Sequence, residues 1–145
     1  MDLRMIVFNN HQAAGLIAKQ ASIAYNPVMD VCIARIEDDR LLGGVIFQMF
    51  NGVSAVIHVA AVTKKWINRD MLWVTFHYPF VQLGLSKLIG LVKSTNAEAI
   101  KFDTALGFIE ECRIKDAVPF GDMLIMTMTK QQCRFLGLRP DNYKL

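Results

Sequence analysis

The chain has 145 residues, 53% of them hydrophobic and 20% charged, with a formal net charge of +3. That length suits one domain with one sizeable core, and the composition is globular. The mild positive charge would help with an anionic cofactor but does not indicate nucleic acid. The sequence has no run of about 18 uninterrupted apolar residues, so no membrane-spanning helix is expected. Met1-Asp2-Leu3-Arg4 lacks the basic-then-apolar layout of a signal peptide, which leaves the cytoplasm as the expected location.

Arg4 to Phe8 reads as a short apolar strand, and Asn9-Asn10 punctuate the chain. His11 to Tyr25, rich in Ala, Leu and Ile, reads as a helix that ends before the Asn26-Pro27 loop. Val31 to Ile36 and Leu41 to Phe50 read as an antiparallel hairpin across the polar turn Glu37-Asp38-Asp39-Arg40. Asn51-Gly52 is a hairpin turn, and Val53 to Thr63 is a long third strand. Asn68 is placed to cap a helix with Asp70 in its first turn. That helix runs to about Leu83, kinks at Pro79 and ends at Gly84.

Leu88 to Val92 is a short buried strand. Thr95 and Glu98 have capping-box spacing. Ala99, Phe102 and Leu106 then mark one helix face, and Gly107 closes the helix. Phe108 to Ile114 and Met123 to Thr129 form a last strand pair through Pro119-Phe120-Gly121. Gln131 to Leu136 reads as a short helix. The expected unit spans 1–137, with a tail at 138–145. This order predicts an α+β fold, a mixed, mainly antiparallel sheet of six to seven strands flanked by helices.

Cys32, Cys112 and Cys133 are widely spaced with no Cys-x-x-Cys pair. They read as reduced, mostly buried thiols, with no metal site expected. His58 is the best-placed base candidate: strand alternation puts Val56, His58, Ala60 and Val62 on one face. A hydrogen-bonded core histidine is the competing reading. His77 and Tyr78 read as packing residues. The Met-rich strand Met123, Met126 and Met128 reads as adaptable core.

The pattern Asn96-x-x-Ala99 with Gly107-Phe108 downstream resembles the cofactor-binding helix of the GNAT superfamily of N-acetyltransferases, and the element order is similar. The likeness is sharpest from Ala55 to Met128. His77-Tyr78-Pro79-Phe80, Gln82-Leu83-Gly84 and Asp122 to Ile125 resemble the subgroup that acetylates protein N-termini, together with short versions carried by bacteriophages. The resemblance implies acetyl-CoA as acetyl donor and direct transfer to an amine acceptor, a protein N-terminus, lysine or small amine. It implies that the arm of the cofactor lies beside the central strand at Ala60 and Val62, with a backbone N–H near Val62 facing the oxyanion. It assigns Lys64, Lys65, Trp66, Asn68 and Arg69 to the pyrophosphate loop. Asn96 and Phe102 fall on the cofactor side of the following helix, with His58 and Asn96 as the catalytic pair.

Two departures stand out. No glycine lies between Lys64 and Asp70, where the family has a glycine-rich loop. Asp103 occupies the position where the family often has the Tyr that protonates the leaving thiolate. The rival readings are a GNAT-like fold without turnover, serving in a virion (a host-cytoplasm or virion location if phage-encoded) or as a host-directed module, and a CoA-ester sensor. A homodimer or larger assembly is compatible with the apolar C-terminal strands.

Overall fold

A computed structural model describes residues 4–140, with the backbone alone for Arg4. Its elements are β1 (Arg4–Phe8), α1 (His11–Ala21), β2 (Val31–Glu37), β3 (Arg40–Gln48), β4 (Ser54–Ala61), α2 (Arg69–His77), β5 (Lys87–Lys93), α3 (Ala97–Leu106), β6 (Ile109–Val118) and β7 (Gly121–Thr129). They form one seven-stranded sheet in the order β1-β2-β3-β4-β5-β7-β6. Every neighbour pair is antiparallel except β4 and β5, which run parallel.

Local chemistry explains the turns. Asp38 and Asp39 both take positive φ, as a two-residue hairpin joining right-twisted strands requires, and Glu37 sits opposite Arg40. At the next turn Asn51 Oδ1 accepts from the amides of Val53 and Ser54, while Gly52 supplies φ 86°. Helix α1 stops at Ala21 rather than running to Tyr25. Ser22 enters the left-handed region, and Ile23 N–H returns to Ala18 O at 2.9 Å.

Pro79 does more than kink the second helix. The helix ends at His77 and widens into a π-turn over Tyr78–Gln82, in which Leu83 N–H reaches Tyr78 O at 3.0 Å. Proline has no N–H to give, and the wider turn absorbs the missing bond. Asn96, one residue beyond Thr95, is the N-cap of α3, its Oδ1 accepting from Ala99 N–H at 3.1 Å. The helix expected over Gln131–Leu136 does not form. Gln132 and Thr129 exchange side chain to backbone bonds, a local turn that competes with helix. Arg134 instead donates to Leu106 O and Ala105 O, closing the C-terminal end of α3. Of the expected tail, residues 141–145 lie outside the described residues.

Two cores sandwich the sheet. On one face Ala13, Ala14, Ile17 and Ala18 of α1 pack on Cys32, Ala34, Ile46 and Ala60. On the other, Trp66, Met71, Phe76 and Phe80 pack on Ile33, Val45, Phe47, Ile57 and Leu88. Gly43 and Gly44 allow both faces to close. A methyl group on Gly43 would meet Trp66 Cγ at 2.5 Å, and one on Gly44 would meet Ile17 Cδ1 at 2.7 Å. Cys32 is buried and Cys133 half-buried, but Cys112 is exposed on β6, contrary to the expectation of mostly buried thiols.

Candidate active site

The parallel pairing of β4 with β5 covers only Ser54–Lys87, Ala55–Leu88 and Val56–Ile89. Beyond those pairs the strands part. The divergence opens a cavity of about 550 Å³, walled by Ile57, His58 and Val59 on one side and Gly90 to Lys93 on the other. Residues 20–23 at the end of α1 reach it from one face of the sheet. Thr75 and Phe76 of α2, with Asn96, Ala99 and Asp103 of α3, reach it from the other.

The register decides which backbone groups face this opening. Val62 N–H donates to Leu42 O at 2.9 Å, so it is committed to β3 and cannot face an oxyanion. Donors alternate along an antiparallel strand, so Ala60 shares the β3 side, and Val59 turns its amide towards the opening. Ala60 and Val62, where backbone contacts were expected, thus turn their amides to β3, and the β4 amide on the β5 side is that of Val59. Ala61 O is taken by Gln20 Nε2 at 2.9 Å.

His58 is half-buried in the cavity wall, on the face covered by α1. Burial lowers its pKa below 6.5, with the negative charge of Asp30 opposing. The imidazole is thus neutral near pH 7, as a proton acceptor must be. Asp103 sits across the fork. A methyl group on Gly90, the first β5 residue past the last β4 pair, would lie 3.6 Å from Asp103 Oδ2. Desolvation pushes this carboxyl up to about 6. It keeps its proton to a pH well above that of an ordinary aspartate, a property its position in the sequence did not announce.

The loop after β4 is built differently from a glycine-rich one. Thr63 Oγ1 caps a single 3₁₀ turn, Lys64–Trp66, by accepting from Lys65 N–H. Trp66 is buried against Gly43 and packs 6.0 Å from the Phe102 ring. Arg35, itself 3% exposed, donates to Lys65 O at 2.9 Å and Trp66 O at 3.3 Å. This arginine on β2 fixes the loop from beneath, and no local motif marks it. Asn68 Oδ1 caps α2 through Met71 N–H at 2.9 Å. Lys64, Lys65 and Arg69 are exposed, and the Arg69 and Asp70 amides have no intrahelical acceptors.

Of the residues singled out from sequence, His58, Trp66 and Asn96 line the cavity. Lys64, Lys65, Asn68 and Arg69 are exposed on either side of Trp66 and Ile67 in the chain and are not in the cavity wall, and Phe102, also outside the wall, packs with its ring 6.0 Å from that of Trp66. The Asn96 Oδ1 is spent on capping, which leaves its Nδ2 as the free donor. His77 stacks on Trp73 at 4.1 Å, and Tyr78 packs against Phe8 and Phe47, both as packing residues.

No family model and no curated protein matches this chain. Solved structures do. A mutant form of the spermidine/spermine N-acetyltransferase SpeG from Vibrio cholerae superposes with a TM-score of 0.70 at 15% identity, over 88% of this chain and 95% of that one. The fold is that of the GNAT N-acetyltransferases. A second SpeG variant gives a TM-score of 0.69 at 15% identity over 93% of this chain and 97% of that one. A dodecameric spermidine N-acetyltransferase from the same organism gives 0.61 at 20% identity, covering 70% of this chain and 66% of that one. At such identities the likeness establishes the GNAT fold, and the chemistry rests on this chain's own residues.

Proposed function

We propose that this chain is an N-acetyltransferase that moves acetyl from acetyl-CoA to an amine by direct transfer. The observation that carries the reading is the parting of β4 from β5 at Val56–Ile89, with a cavity between them and Asp103 at the fork. Acetyl-CoA brings an activated thioester on an arm that contains amides. The Val59 amide, left without a strand partner, suits such an arm. Lys64, Lys65, Arg69 and the open amides at the start of α2 suit its phosphates.

In this reading His58 takes the proton that the amine loses as the new C–N bond forms. Asp103 gives a proton to sulfur as the C–S bond breaks. The two groups face one cavity from opposite sides of the sheet, and solvent restores both protonation states after turnover. Asn96 Nδ2 positions the arm from the start of α3.

A second reading, a CoA-ester-binding or structural module without turnover, draws on the capped α2 terminus. Asn68 already occupies the Met71 amide, and Asp70 places negative charge in the first turn. One experiment separates the readings. Acetyl-CoA at about 100 times its Kd would stabilise the folded chain by about 2.7 kcal/mol. An enzyme would then release free thiol with one member of a panel containing spermidine, lysine and a peptide N-terminus. Stabilisation without thiol favours a sensor, and neither response favours a structural module.

A further inference from the structure

Helix α1 covers only half of its side of the sheet. It packs on Cys32, Ala34, Ile46 and Ala60 of β2, β3 and β4. The same side of β5, β7 and β6 carries no helix among the described residues, because α2 and α3 pack on the other side. Strand register sets two rows across this bare face, Ile89–Thr127–Ile109 and Leu91–Ile125–Cys112. A third row, Lys93–Met123–Ile114, crosses it at the cavity end. A sheet face in water ordinarily carries polar residues at its outward positions. Here most are apolar, and Leu91, Ile109 and Ile114 are 44%, 51% and 53% exposed. The alternate positions, Leu88, Val92, Leu124 and Met126, already build the core on the far side. A contiguous apolar face of this kind marks a contact surface.

The described chain does not reach it. Strand β1 lies at the far edge of the sheet, and Leu138, near the last described residue, packs on the opposite side, where its carbonyl accepts from Arg69 Nε. Pairing along the β6 edge is guarded by register shifts at Glu111 and between Ile114 and Val118, and by the Arg113–Glu110 ion pair. The face itself remains, and its charges select the occupant. Lys87 on β5 and Glu111 on β6 flank β7 at one end of it. Both bonds that Glu111 receives, from Lys87 Nζ and Thr127 Oγ1, go to its Oε1, which leaves Oε2 for another cation. A two-fold axis along β7 sets β5 of one copy over β6 of the other, in the aligned packing that sheet faces favour. Each Lys87 then meets the other copy's Glu111, each Leu91 the other copy's Cys112, and Ile125 its own counterpart.

We propose that the α1-side face of β5, β7 and β6 is the interface of a two-fold dimer of this chain, with Lys87 of each copy paired to Glu111 of the other. Leu91, Lys93 and Met123 belong to this face and to the cavity wall, so the second copy stands beside the cavity on the His58 side. The inference does not rest on the acetyltransferase reading.

Sedimentation equilibrium at about 100 μM tests it, a concentration above the μM Kd of the weaker standard-size interfaces. Wild type should sediment at twice the mass of the chain. The double variant Leu91→Lys, Ile114→Lys changes only exposed positions, and should be monomeric with the wild-type circular dichroism spectrum. Met29→Lys, 71% exposed in the loop after α1, should remain dimeric. Lys87→Glu and Glu111→Lys each set like charges against each other and should weaken self-association at least about tenfold. An equimolar mixture of these two variants restores both pairs across the axis and should form heterodimers. A wild-type monomer would assign the face to a different occupant and overturn the proposal. A dimer that Leu91→Lys, Ile114→Lys leaves intact would overturn it too, as would a mixture of the charge variants that associates no better than either alone.

Discussion

Replacing Asp103 by Asn tests the electrostatics of the cavity in a single change. Burial moves this carboxyl from 3.8 to about 6. At 1.36 kcal/mol per unit, its ionised form costs the folded chain up to about 3 kcal/mol relative to the unfolded chain. The folded pKa is the higher one, so the stability Asp103 lends is fully present below 3.8 and is lost as pH rises through about 6. Asn never ionises. The stability of Asp103→Asn should therefore climb relative to wild type between about pH 4 and about pH 6, then level off above it. Urea denaturation of both proteins across that range measures the difference directly. A difference that stays constant with pH would refute the claim that this carboxyl is desolvated. The same variant should turn over more slowly, because it has no proton to give to the departing sulfur. More stable and less active together is the signature of a group kept for function.

Two further substitutions probe the wall and the loop. His58→Gln should lower kcat by about 100-fold with little change in the KM for acetyl-CoA, and it should abolish the acid limb of the pH profile, which lies below pH 6.5 because burial lowers the His58 pKa. An unchanged acid limb would return His58 to a packing role. Gly43→Ala should destabilise the chain by about 1–3 kcal/mol in urea, because the new methyl would meet Trp66 Cγ at 2.5 Å and displace the loop that Arg35 braces.

Much of the fold was legible because its signals are local. Alternating and continuous apolar runs gave the strands, Asn51-Gly52 a hairpin and Gly107 a helix end, and all stand in the structure. The misplaced ends have local competitors. Ser22 can take the left-handed turn that stops α1, Asn96 out-competes Thr95 as a cap, and Thr129 with Gln132 closes a turn where a helix was expected. The site was less legible because its decisive features are non-local. Whether Val62 or Val59 faces the opening depends on strand register, which side-chain alternation alone does not fix. Arg35 acts on a loop 30 residues away, and nothing around it in the chain marks that role. Asp103 was visible as a departure from a resembling family. Its place by Gly90 at the fork of the sheet, and the burial that raises its pKa to about 6, are visible only in the structure.

The central claim is that the parted strands hold a thioester and that Asp103 and His58 move the protons of acetyl transfer. The most direct measurement is the amine-dependent release of free thiol from acetyl-CoA, followed together with acetylation of the amine, for wild type and Asp103→Asn over the amine panel. The account predicts thiol and acetylated amine in equal amounts with at least one amine for wild type, and a clear loss of rate in the variant. Bound acetyl-CoA with no thiol released by any amine, or equal rates in the two proteins, would contradict it.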